Sequence, residues 1–470
     1  MQQTLDITSK SQTGVIIACV TLITAISTLL NGAITVALPT LARELAIPPS
    51  LLLWPTSIQS LVTGCTLLIC GSIADSVGSR LMYLTGSILQ TGAILGCGLS
   101  RIGTQLIVFR GLGGIALSFC LPSAVSIITS SFTGKRRDMA FASMGGGQPV
   151  GFSIGLALGG VLTDTIGWRW AFHLAAILNA VIFSIALWGL PKSIDSPSGV
   201  SSWATKVEKL KHEIDWIGAL IASASLAMLS YAFATITGNT ADIKEAKTLA
   251  TLVIAFALIP LFVFWVGRQE RLGRPAIIPN SLWRNKVFTT ICLGVFLTWG
   301  SFNALETMLT FFFQEVQGLS AIQTSLRFLP APVAGVVANV AIGLLVHRVA
   351  ANYLVLFGCG ISVVAPLVMA FAKPQSSFWS TGLSCSGGFL HQFATDNLTG
   401  FLANVFNPTG ADSLFTISNL LITSSFPSKT QALAGGVFNT QVASQANVKA
   451  PSLTRPTESR KLERLSGWHS

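Results

Sequence analysis

Between residues 14 and 372 one pattern recurs: a run of about 20 mostly apolar residues, then a short polar gap. The runs lie at 14–38, 51–74, 81–99, 103–130, 139–163, 170–190, 214–237, 248–266, 287–313, 321–346 and 353–372. A helix of that length spans a bilayer, and lipid admits only structures that satisfy their own amide groups. Composition agrees. Charged types make up 10% of the 470 residues and apolar types 51%, whereas a soluble domain carries about a quarter charged residues. The expected fold is an all-α polytopic membrane protein with about 11–13 transmembrane helices.

The net charge of +11 has a topological reading. With a cytoplasmic N-terminus, the inside gaps hold 14 Lys and Arg, among them Arg80, Arg136, Lys209, Arg271 and Arg348, and the outside gaps hold 5. Cations favour the cytoplasmic face, so that orientation stands. No basic stripe interleaves with aromatics, so no nucleic-acid partner is expected. The eight cysteines form no C-x-x-C pair, and the five histidines lack metal spacing. No cofactor, no metal site and no enzymatic constellation is expected.

The gaps also divide the chain. Residues 1–13 read as a cytoplasmic tail, 14–190 as a six-helix bundle and 191–213 as a cytoplasmic linker. Residues 214–266 read as two extra spans, 287–425 as a partial second bundle, and 426–470 as a polar, disordered tail. The pieces 378–403 and 411–425 are weak further spans. "GSIADSVGSRLMYL" at Gly71 has an echo in "GLLVHRVAANYLVL" at Gly343, and repeated halves mark transporters.

In "GSIADSVGSR", Gly71 permits close helix approach, Asp75 faces the amino end of the next helix, Gly78 allows a tight reversal, and Arg80 sits at the interface. A solvated hairpin with incidental charges fits equally. Arg110 lies a third of the way into the fourth run, where a charge reads as functional unless it snorkels. Gly147, Gly151, Gly155 and Gly159 recur every fourth residue and make a bare helical ridge, and Pro149 within it favours a bend.

These stretches resemble the major facilitator superfamily. Gly71, Asp75, Gly78 and Arg80 match its loop signature between spans two and three, with Ser76 and Ser79 where the family often has basic residues. Arg110, Gly113 and Gly114 match its fourth-span signature. "GGGQPVGFSIGLALGGVL" is similar to the fifth-span antiporter motif, and "WRWAF" follows it as in the drug:proton antiporter branch. "LNGAITVALPTL", "IDWIGALIAS" and "RPAIIPNSLWRN" resemble segments of the fourteen-span branch, and "ADSLFTISNLLITSSFPSKTQALAGGVFNT" a late segment best known in fungal members. The resemblance implies a two-bundle helical transporter exporting hydrophobic or amphipathic compounds by alternating access, with the 71–80 loop as a conformational latch. Residues 384–410 and 441–470 depart from the pattern, which points to altered splicing or a frame change.

No Walker A motif is present, so coupling to protons is expected. One charge crossing the membrane potential supplies about 2.3 kcal/mol per 100 mV. Many bacterial relatives have an aspartate in span one where Asn31 stands here. Glu306 is then the clearest intramembrane acid, and it and Arg110 are the coupling candidates, although an outer-end carboxylate touching water also fits Glu306. Asp164 reads as structural at an interface. Asn31, Gln59, Gln148 and Asn303 are candidates for the substrate cavity, or for bonds between helices. The expected partners are lipid, a small organic substrate and protons, for a monomer in the plasma membrane. Uptake or uniport of a small polar solute, and a truncated, transport-dead protein, remain as alternatives.

Overall fold

The computed structural model describes residues 10–48, 51–52, 54–132, 134–190, 215–238, 245–274, 276, 280–345, 349, 351–370, 405–411, 414 and 417–418. The apolar runs are helices, because a chain that removes its amides from water must bond them within each segment. In order they are α1 (Lys10–Glu44), α2 (Trp54–Val77), α3 (Ser79–Gly98), α4 (Gly103–Ser131), α5 (Gly134–Thr165) and α6 (Arg169–Gly189). Then come α7 (Trp216–Gly238), α8 (Ala246–Arg271), the short α9 (Asn280–Arg284) and α10 (Lys286–Phe311), which a π-helical turn extends over Phe312–Val316. Last are α11 (Ala321–Phe328), α12 (Pro330–Leu345) and α13 (Ala351–Ala370). Among the described residues no strand occurs.

Two expectations are corrected in detail. The polar gap after Gly71 is not a loop: α2 runs on through Asp75 to Val77, and α3 starts at Ser79. Gly78 alone joins them, at φ 126°, a conformation that side chains disfavour. The run 321–346 is not one helix. It breaks at Leu329, whose backbone stays helical at φ −57° and ψ −31°, because Pro330 has no amide hydrogen to continue the bonding.

Among the described residues seven helices are long and apolar enough to cross a membrane: α1, α3, α4, α6, α7, α8 and α10 with its extension. The sequence reading had eleven such runs. Helix α5 falls short because its ridge is glycine, which adds little hydropathy. The 191–213 linker, the 378–403 piece and the 426–470 tail lie outside the described residues, as does most of 411–425.

Helices α1–α6 enclose two apolar cores. One, at the end that holds Arg80, joins Ile16, Ile23, Tyr83, Ile127, Phe132 and Met144. The other, at the end that holds Glu44, joins Ile34, Leu41, Ile94, Leu106, Trp168 and Phe172. There Glu44 Oε2 accepts from Trp168 Nε1 at 2.9 Å and from Arg169 Nη1 at 3.2 Å. Buried polar groups fix α3 against its neighbours. Tyr83 Oη donates to the Cys19 carbonyl at 2.7 Å, Gln90 Nε2 to Ser27 Oγ at 2.6 Å, and Asn179 Nδ2 to the Ser87 carbonyl at 2.9 Å. Helix α7 packs on α2, and its Ser223 hydroxyl donates to the Cys65 carbonyl. Asp215 Oδ1 caps α7 by accepting from the Gly218 amide at 2.9 Å, and it ties α8 through Trp265 Nε1, also at 2.9 Å. The rest of α8 turns large apolar side chains outward, Val253, Phe256 and Phe264 among them, as a lipid-facing helix does.

Candidate transport pathway and coupling site

Arg110 enters from α4 with 2% of its surface exposed. Its Nη2 donates to Asn31 Oδ1 of α1 at 2.7 Å, and its Nε donates to the Pro55 carbonyl of α2 at 3.1 Å. The guanidinium therefore points into the junction of three helices and does not snorkel toward the helix end. Asn31, read as a cavity residue, is Arg110's partner. Gln59, also buried, sits one turn along, near Gly113. A Cβ on Gly114 would lie 2.5 Å from the Gln59 carbonyl oxygen, so α2 and α4 meet backbone to backbone there. The seam continues in parallel register. Thr63 Oγ1 donates to the Gly114 carbonyl at 3.0 Å, and Thr66 Oγ1 and Ser118 Oγ lie 2.6 Å apart.

The glycine ridge of α5 faces a matching four-residue row on α1. A Cβ on Gly147 would lie 2.6 Å from Thr21 Cγ2, and one on Gly159 would lie 2.5 Å from Ala33 Cα. At Gly151 it would overlap the Ala25 carbonyl oxygen, and at Gly155 that of Leu29. Gly32 of α1 returns the contact at Phe152. Close approach of this kind replaces the hydrophobic drive that lipid denies to helix association. The helix continues through Pro149 without interruption. Gln148, beside the ridge, is half-buried.

The loop signature is placed differently from its reading. A Cβ on Gly71 would meet Pro122 Cβ at 3.5 Å, an ordinary contact, so close approach does not require glycine there. Asp75 lies in the last turn of α2, and its side chain is outside the described atoms. Arg80 caps the carboxyl end of α6: Nε donates to the Leu190 carbonyl at 2.8 Å and Nη2 to that of Leu187 at 2.9 Å. A cation suits that end of a helix.

In the second half, Glu306 is 5% exposed on α10, so it is enclosed by protein and does not lie open to water. Its neighbours Leu305 and Leu309 join Val36, Leu156, Phe313 and Phe328 in one apolar cluster. Asn303 Nδ2 donates to the Trp299 carbonyl of its own helix at 2.9 Å. Arg110 and Glu306 are not bonded to each other.

The cluster marks where the two halves meet, at the Glu44 end. Gln314 Nε2 donates to the Val36 carbonyl at 2.9 Å and Ser325 Oγ to the Leu156 carbonyl at 2.6 Å. The Ile322 amide donates to Asp164 Oδ2 at 2.9 Å. Ser320 and Gln323 form a capping box on the same helix end. A Cβ on Gly160 would strike the Ser325 hydroxyl, so α5 and α11 lie as close as side chains allow. Sequence reasoning missed Gln314, Ser325, Gln90 and Asn179, and it gave Asp164 no partner. The run "SAIQ" at Ser320 was a readable cap.

Paired parallel helix seams within the first half, and a second half meeting it at one end, are the layout of a two-bundle carrier. The family model described as Major Facilitator Superfamily matches residues 20–444. The chain belongs to this family. As a Major Facilitator Superfamily protein it is a membrane transporter of the two-bundle helical fold, not an enzyme. It is 39% identical over 455 residues to MFS-type transporter 1 of Pyricularia oryzae, covering 92% of this chain and 71% of that protein. It is 26% identical to multidrug resistance protein 3 of Bacillus subtilis, covering 72% of this chain and 62% of that one. Among solved structures, a peptide transporter superposes with TM-score 0.58 at 16% identity, covering 93% of this chain and 87% of that chain. A bacterial homologue of the lysosomal transporter Spinster gives TM-score 0.56 at 16% identity, covering 94% and 81%. These two share its fold.

Proposed function

We propose that the chain exports hydrophobic or amphipathic organic compounds by alternating access, in exchange for protons, as a member of the fourteen-span drug:proton antiporter branch. Its N-terminus is cytoplasmic and its membrane the plasma membrane. Residues 14–190 form the first bundle and 287–425 part of the second, with 214–266 as an inserted pair. The observation that carries this reading is the seam at the Glu44 end. Gln314 to Val36, Ser325 to Leu156 and Ile322 to Asp164 join the halves there, so the exit is shut toward the outer face. The resistance named in relatives such as multidrug resistance protein 3 supports the substrate class.

Glu306 takes the proton, being an enclosed acid beside the seam. Arg110 serves the coupling with it, its partner Asn31 and the nearby Gln59 form the polar end of the substrate path, and the glycine ridge holds α1 on α5 while the halves rock. The 71–80 signature serves as the latch at the cytoplasmic end. The test is drug accumulation in cells that express the chain beside empty cells. The reading requires lower accumulation of amphipathic drugs in the expressing cells; equal accumulation overturns it. Movement of a small polar solute is the second reading, favoured by 23% identity to the low affinity ammonium transporter of Saccharomyces cerevisiae.

A further inference from the structure

The surroundings of Arg110 carry information about charge. A buried guanidinium normally pairs with a carboxylate, because an uncompensated charge out of water is costly. Here both of its acceptors are neutral, the Asn31 amide oxygen and the Pro55 carbonyl. Among the described residues the salt bridge joins Arg169 and Glu44, far along the fold from this site.

Two further details point outward from the pair. Arg110 Nη1 makes no hydrogen bond among the described residues, although the side chain is only 2% exposed. Asn31 is half-buried, and fixing its Oδ1 on Arg110 leaves its Nδ2 free to donate beside the guanidinium. The junction of α1, α2 and α4 therefore presents a cation and an amide donor, with the two acceptors that Arg110 touches already used. Gln59, next along α2, brings a neutral amide.

We propose that this junction is an anion-binding subsite, and that the exported compounds are organic anions whose carboxylate or sulfonate sits between Arg110 Nη1 and Asn31 Nδ2. The inference rests on the export reading and narrows it from organic compounds at large to amphipathic acids. A carboxylate or sulfonate supplies the missing counter-charge and accepts from both groups at once. Its aromatic or aliphatic body lies along the apolar walls. An inside-negative membrane potential also drives an anion outward, which fits a first span whose acid is replaced by Asn31.

The test uses two dyes of one chemical frame, anionic carboxyfluorescein and cationic rhodamine 123, with the full chain in nanodiscs. Fluorescence anisotropy gives the affinity for each, and vesicle transport gives export. The wild-type chain is expected to bind the anion about tenfold or more tightly than the cation, the value of one charge-assisted bond. Asn31→Asp gives Arg110 an internal partner and removes the amide donor. It is expected to weaken the anion by about tenfold and so to bring the affinities of the two dyes close together. Wild-type preference for the cation, or equal binding, overturns the subsite and leaves the export reading standing. That comparison does not depend on any variant folding. An unchanged dye ratio in well-folded Asn31→Asp also overturns it. Export of neither dye, nor of a neutral amphipathic drug, overturns both readings.

Discussion

Asp164, at the end of α5, accepts a 2.9 Å hydrogen bond from the Ile322 amide in the first turn of α11. One residue belongs to the first half of the molecule and the other to the second, 158 positions later. The carboxylate meets the positive end of a helix whose first turn is already capped by Ser320, so the halves are joined by charge and by a bond that only a closed seam allows.

Removing that carboxylate should open the seam. A hydrogen bond to a charged group contributes about 1.5–3 kcal/mol, and 1.4 kcal/mol shifts a two-state population about tenfold. Asp164→Ala should therefore raise labelling of a Gln314→Cys reporter by a membrane-impermeant maleimide about tenfold. Ile322→Pro, which removes the donor where a helix start tolerates proline, should act alike, and the two together should be less than additive. Unchanged labelling in both would remove this bond from the gate.

The glycine ridge makes a prediction with two signs. Gly155→Ala drives a methyl group into the Leu29 carbonyl and should destabilise the fold by about 1–3 kcal/mol. Gly146→Ala, nine residues earlier on a side with nothing within 4 Å, should be neutral or stabilising by up to about 1 kcal/mol. Thermal unfolding in detergent separates them, and equal melting temperatures would contradict the close α1–α5 seam.

Glu306→Gln keeps the side chain's shape and removes its proton. Transport driven by a pH gradient should then fall to the level of gradient-free vesicles. Full gradient-driven transport in this variant would take Glu306 out of the coupling.

The orientation is open to a direct check. Single cysteines at Arg136 and Lys247, both exposed, should react with an impermeant reagent from opposite sides of the membrane. The second should react in intact cells and the first only after permeabilisation.

Much of the fold was legible because lipid imposes one rule on every segment. Apolar length gave the helices, and the fourfold glycine spacing gave the ridge of α5. The partner row on α1 was not legible, since Thr21, Ala25, Leu29 and Ala33 carry no special residue type. The break at Leu329 was written in Pro330 and in the polar residues Gln323, Thr324, Ser325 and Arg327 before it, which set that segment apart from the apolar run that follows. Arg110 was legible as a costly charge, whereas its bond to Asn31 depends on the register of α1 against α4. Asp164 was hidden for the same reason: its partner is a backbone amide, and any sequence supplies one.

The central claim, that substrate leaves by opening the seam between the halves, is tested most directly by closing that seam for good. Val36→Cys and Gln314→Cys, which flank an existing 2.9 Å contact, can be joined by a cleavable bifunctional thiol reagent in reconstituted vesicles. Export of an amphipathic dye should stop when the link forms and resume when it is cut, with the single-cysteine variants unaffected by the same treatment. Export that continues at full rate through a completely linked population would contradict the account.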